Sequence, residues 1–127
     1  MAALKFINEQ MSSLGINYEF NEWTSDTVPA LYFVGEEYRE DETLTEDGAS
    51  TASMILTGFH RGKYIALEEA KEKIKRHFDP IFGLRSPTDS GAIAVFFADA
   101  FSIPSGEANL TKIQITLKIK EWKGESL

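Results

Sequence analysis

A chain of 127 residues, 43% apolar and 12% aromatic, is long enough for one domain around a real core, and that composition excludes a fully disordered polymer. It contains no cysteine, which removes a disulfide framework, thiol catalysis and thiolate metal sites together. Thirteen basic against twenty acidic residues leave a formal charge of −7, so sequence-independent binding to nucleic acid is not expected, and no apolar run is long enough to span a membrane.

The chain opens on a predicted helix, Ala2 to Ser13. Leu4, Ile7 and Met11 recur at helical spacing, and Gly15 stands where a C-terminal cap belongs. The polar "NEQ" at 8–10 interrupts what a signal sequence would need, so this segment is read as structure. Ile16, Tyr18 and Phe20 then alternate with Asn17, Glu19 and Asn21, which is strand periodicity. "ALYFVGEEY" at 30–38 suits a strand buried on both faces at first and emerging at Gly35. "STASMILTGFH" at 50–60 suits another, and the pair is expected to form a hairpin whose extended tip, residues 36–50, projects as an acidic loop.

The clearest helix is predicted over 65–78, where Leu67, Ala70, Ile74 and Phe78 make one apolar stripe. Glu68 and Glu69 sit early while Lys75, Arg76 and His77 sit late, the order the helix dipole favours. "IFGLRSPTDSG" is expected to be a loop, "AIAVFFADAF" a strand and "SIPSGEAN" a turn. In "LTKIQITLKIKEW", Ile113, Ile115, Leu117 and Ile119 face one way and Lys112, Gln114, Thr116, Lys118 and Lys120 the other, so one side is core and the other wet and basic. Residues 123–127 are expected to fray. The expectation is a single α+β domain in the order α-β-β-β-α-β-β, its mostly antiparallel sheet of about five strands covered on one face by two helices.

No chemical signature emerges. The acidic stretch is not an EF-hand, because from Asp41 the third, fifth and sixth positions are Thr43, Thr45 and Glu46. His60 and His77 lie seventeen positions apart without further ligands. No serine lies in a nucleophile elbow and no glycine pattern makes a phosphate cradle. Neither catalytic residue, cofactor nor metal ligand is assigned, and a non-enzymatic chain is expected. What remains is charge segregation. Glu36, Glu37, Glu40, Asp41, Glu42, Glu46 and Asp47 against Arg39 alone give this stretch −7 + 1 = −6, nearly the whole charge of the chain. Lys71, Lys73, Lys75 and Arg76 on the second helix, with Lys112, Lys118 and Lys120 on the last strand, make the body basic. An acidic arm and a basic body suit head-to-tail association of copies.

Taken in order, "LYFVGEE", "TEDGAS", "MILTGFHRG", "LEEAKEKIKRHF" and "IQITLKIKEW" resemble small structural proteins of tailed phages and prophages of Gram-positive bacteria, most of all the tail-terminator or tail-completion class of the head–tail junction. The resemblance spans nearly the whole chain. It implies an α+β protomer acting as a ring, commonly a hexamer, that caps the tail tube and joins it to the head. Its partners would be further copies of itself, the tail-tube protein and head–tail connector proteins, with genome DNA passing through the ring and no sequence-specific nucleic-acid contact. Its place would be the host cytoplasm during assembly and then the virion. Carried over, 36–50 would be the contact element, and Lys112, Lys118 and Lys120 would border the lumen or a neighbour. The alternatives are a neck adaptor of the same junction, or a small binding module whose acidic loop responds to cations.

Overall fold

The computed structural model describes residues 2–20, 29–44, 48–62, 64–88 and 91–123, with side chains for all of these except 2, 41–44 and 123. In chain order it contains α1 (Ala2–Ser13), β1 (Tyr18–Phe20), β2 (Leu31–Leu44), β3 (Ser50–His60), α2 (Tyr64–His77), β4 (Leu84–Thr88), β5 (Gly91–Ile103) and β6 (Thr111–Lys123). The strands form one sheet in the order β1-β2-β3-β6-β5-β4. β1 pairs in parallel with β2, and every other pairing is antiparallel.

α1 ends by a backbone device its sequence anticipates. The Gly15 N–H donates to Ser12 O at 3.0 Å and the Ile16 N–H to Met11 O at 3.1 Å, the paired bonds of a Schellman cap. Gly15 takes φ +73°, a conformation that costs other residues a Cβ clash. The cap also turns Ile16 back into the core beside Met11, where both are buried.

Both helices pack on one face of the sheet. Ala3, Phe6, Ile7 and Met11 of α1 and Leu67, Ala70 and Ile74 of α2, with Phe78 just beyond it, meet a single set of strand residues. That set is Phe33 on β2, Ala52, Met54 and Leu56 on β3, Ile113, Ile115, Leu117 and Ile119 on β6, and Ile93, Val95 and Phe97 on β5. The expected stripe of the second helix and the expected apolar side of the last strand are therefore the core. The two helices also touch through a hydrogen-bond contact of 2.7 Å between His77 Nε2 and Gln10 Oε1.

The sheet departs from expectation in two places. "LRSPT" within the expected loop is β4, an edge strand paired from Leu84↔Val95 to Thr88↔Gly91, so there are six strands in the order α-β-β-β-α-β-β-β. Pro87 is tolerated because, among the described residues, no strand lies beyond β4 to need its missing N–H. The acidic segment is the larger correction. Residues 36–44 are not a projecting loop but the second half of β2, paired with β3 from Glu37↔Ile55 to Leu44↔Ser50. The register skips one residue between Gly35 and Glu37, so Glu36 is a bulge, and it skips again between Glu40 and Leu44. Repulsion among these carboxylates is tolerable because this end of the sheet is wet: Glu36, Glu37, Arg39 and Glu40 are all exposed. The hairpin itself stands as expected. Glu46, Asp47 and residues 124–127 lie outside the described residues, while Lys123, expected to begin a frayed tail over 123–127, is the last residue of β6.

Candidate functional surface

Among the described residues the second face of the sheet carries no helix, and its side chains follow from the registers alone. Reading across β2, β3, β6 and β5, one rung is Tyr32, Phe59, Lys112 and Ile103, and the next is Val34, Thr57, Gln114 and Phe101. Glu37, Ile55, Thr116 and Asp99 follow, then Arg39, Ser53, Lys118 and Phe96. Thr51, Lys120, Ala94 and Arg85 make the rung nearest β4. Along these rungs five cations stand against two carboxylates, although the chain as a whole is acidic. The small residues are covered: Val34 is 7%, Thr57 4% and Ala94 0% exposed without any helix above them.

Aromatic rings hold the cations against the sheet. Lys112 Nζ lies 5.3 Å from the Phe59 ring, which itself stacks on Tyr32 at 4.9 Å. Lys120 Nζ and the Arg85 guanidinium each lie 5.7 Å from the Trp122 ring. Each such contact contributes about 0.5–1 kcal/mol at an exposed site, enough to favour one side-chain position over others. The alternation of the last strand was visible in the sequence, and Trp122 stands two residues from Lys120 on that same strand; the Phe59 ring under Lys112 was not visible, because it arrives only through the pairing of β3 with β6.

Of the seven acidic residues, Glu36, Glu37 and Glu40 have described side chains, and these do not form one patch. Glu37 lies on the helix-free face and pairs with Arg39 at 3.6 Å, both exposed, which is a weak surface ion pair. Glu40 stands on the opposite face, across from Ala52. There it borders a notch of about 170 Å³ lined by Tyr38, Glu40, Ser50, Thr51, Ala52, Ile119 and Glu121. Burial pushes the Tyr38 phenol up to about 12, with Glu40 and Glu121 adding repulsion against the phenolate. Glu36 occupies the bulge, and Asp41 and Glu42 continue β2. The acidic strand and the lysine row are thus parts of one sheet, not an arm and a separate body. Lys118 lies only two strands from Arg39 on the same rung.

The surface offers charge and aromatic area. Among the described residues, no three His, Asp or Glu side chains are arranged to hold a metal ion. His60 closes β3 opposite Thr111, whose hydroxyl donates to His60 O at 3.1 Å. No helix among the described residues is long and apolar enough to cross a membrane.

No protein-family model matches the chain, and no curated protein sequence does. Solved structures do. One match is a chain of the virion of a native gene transfer agent particle, at TM-score 0.61 and 9% identity, covering 87% of this chain and 81% of that one. At that identity the likeness is one of fold: this chain has the fold of a chain of that virion.

Proposed function

We propose that this chain is a virion structural protein, a tail-terminator or tail-completion subunit that acts in a ring to cap the tail tube and join it to the head. The observation that carries the reading is the fold shared with a gene transfer agent virion chain over 87% of the length. The helix-free face is consistent with it, since a broad charged sheet suits contact with other macromolecules better than capture of a small molecule. Its partners are then neighbouring copies, the tube protein and the head connectors, and the chain performs no catalysis.

Deleting the gene in the particle that encodes it tests the reading. The expected result is tubes of uncontrolled length with heads unattached, restored by supplying the chain in trans. Tubes of normal length beside unattached heads would move the protein to the neck as an adaptor. Fully normal particles would remove it from the junction altogether.

A further inference from the structure

β5 is covered along only half of its outer side. β4 pairs with it from Val95 back to Gly91, whereas β5 runs on to Ile103. The Phe97 N–H donates to Phe78 O at 2.8 Å, and past that bond no strand or backbone partner lies on this side among the described residues. Residues 98–103 therefore present an open edge about 20 Å long, in which alternate residues turn their N–H and C=O groups outward. Only another strand returns such groups at the same repeat, so the edge is a template for one.

The rest of the rim is guarded against that pairing. β1 spans only three residues, Glu36, Glu37, Arg39 and Glu40 on β2 are all exposed, and β4 carries Arg85 and Pro87, also exposed. Short strands, charges and proline are the usual guards of an edge. On 98–103 the sole charge is Asp99. Apolar area gathers there instead. Phe101, 50% exposed, stands on the open stretch, and Tyr64 shares a hollow with Ser102 and Ile103 at its far end. Ile81 and Phe82, both strongly exposed, follow Pro80 at its near end. Pro80, Phe97, Ala98 and Ala100 line an open groove of about 410 Å³ beside the edge, together with Lys71, Lys75 and Asp99. These charges are matched within the chain. Lys71 Nζ pairs with Glu68 and with Glu72, the latter at 3.0 Å. Lys75 Nζ, 5.9 Å from the centroid of the Phe97 ring, and Asp99 are of opposite sign. What the edge leaves unsatisfied is backbone and apolar area.

We propose that residues 98–103 of β5 take an extended, uncharged strand of a partner protein, with apolar side chains at alternate positions. Its backbone completes the open hydrogen bonds, while its side chains cover Phe101 on one face or enter the groove on the other. The contact is independent of the ring reading, since no second copy takes part in it.

The probe is an end-capped, fluorescently labelled peptide of about seven residues alternating threonine and valine, a length that spans the open edge. Titrated into the full chain and read by anisotropy, it is expected to bind with a Kd below about 1 mM. Hydrogen exchange should then slow at alternate amides of 98–103 and stay unchanged at 36–40. The same peptide with every amide N-methylated keeps its side chains but loses its donors, and should bind at least about tenfold more weakly. Phe101→Lys places a guarding charge at an exposed position and should weaken binding about tenfold, with circular dichroism and Tm unchanged. Absence of binding at about 1 mM, equal binding of the N-methylated peptide, or exchange that slows at 36–40 and not at 98–103 overturns the proposal. So does a wild-type chain that sediments as a dimer which Phe101→Lys dissociates, because a second copy then fills the edge.

Discussion

Gly58 is the position where one methyl group should be most costly. It lies on β3 between Phe33 of β2 and Ile113 of β6, with ordinary extended backbone. A Cβ there would stand 2.5 and 2.7 Å from two carbons of the Phe33 ring and 3.0 Å from Ile113 Cγ2. Phe33 is fully buried, so its ring has no open space to swing into. Overpacking of this kind costs about 1–3 kcal/mol. Replacing glycine in a strand returns about 0.5–1 kcal/mol, because the unfolded chain becomes less flexible. Gly58→Ala should therefore lose about 1–2 kcal/mol net, which for a chain of this size lowers Tm by roughly 3–10 °C. Calorimetry and urea unfolding read the loss directly. Phe33→Leu makes room and on its own should cost roughly 1–2 kcal/mol. Combined with Gly58→Ala it should fall short of additivity by about 1 kcal/mol, since each change relieves the other. A Gly58→Ala variant as stable as the wild type, or a double variant whose losses simply add, refutes the steric account.

Leu117 is fully buried between Met54 and Phe97 at the centre of the sheet, so Leu117→Ala should cost about 2–5 kcal/mol, read as a lower urea midpoint at unchanged slope. A loss under about 1 kcal/mol would show that the helices do not pack as described. The backbone N–H groups of Phe82 and Ile81 hold the Asp79 carboxyl below its ordinary range, so protection of those two amides is present above that range and is lost as pH falls through the depressed value. Hydrogen exchange should accelerate there in Asp79→Ala at neutral pH, with the α2 core amides unchanged; equal exchange in variant and wild type would mean the turn is held by other bonds. Tyr38 titrates near 12 against an ordinary 10.0, so its contribution to stability is complete below about 10 and is lost as pH rises toward about 12. Ultraviolet difference titration of Tyr38→Phe against wild type should place the missing phenolate signal above that of an exposed tyrosine, and a signal at the ordinary value would contradict the buried position.

Local pattern was sufficient wherever a segment's own spacing matched the face it buries. The stripe Leu67, Ala70, Ile74 and Phe78 and the alternation Ile113, Ile115, Leu117 and Ile119 are both core. The α1 cap was equally legible, because its two bonds, from Gly15 N–H to Ser12 O and from Ile16 N–H to Met11 O, span only three and five residues. The candidate surface was half legible. Lys112, Lys118 and Lys120 share one face as their spacing requires, and Trp122 follows Lys120 at that same spacing, yet the ring beneath Lys112 is Phe59 of β3.

By itself, then, the sequence determined the two helices, the core stripe of each and the wet face of the last strand, since these depend on periods of 3.6 and 2 within one segment. Tertiary structure alone decided the fate of 36–44. Read locally, carboxylates crowded at this density predict a solvated loop; across from Ala52, Ser53, Met54 and Ile55 the same residues find backbone partners and become strand. It also decided that "LRSPT" is an edge strand, because a five-residue segment carrying a proline is stable there only by pairing with β5. Pairing energy and the solvation of a sheet end belong to the assembled fold, and no window of residues contains them.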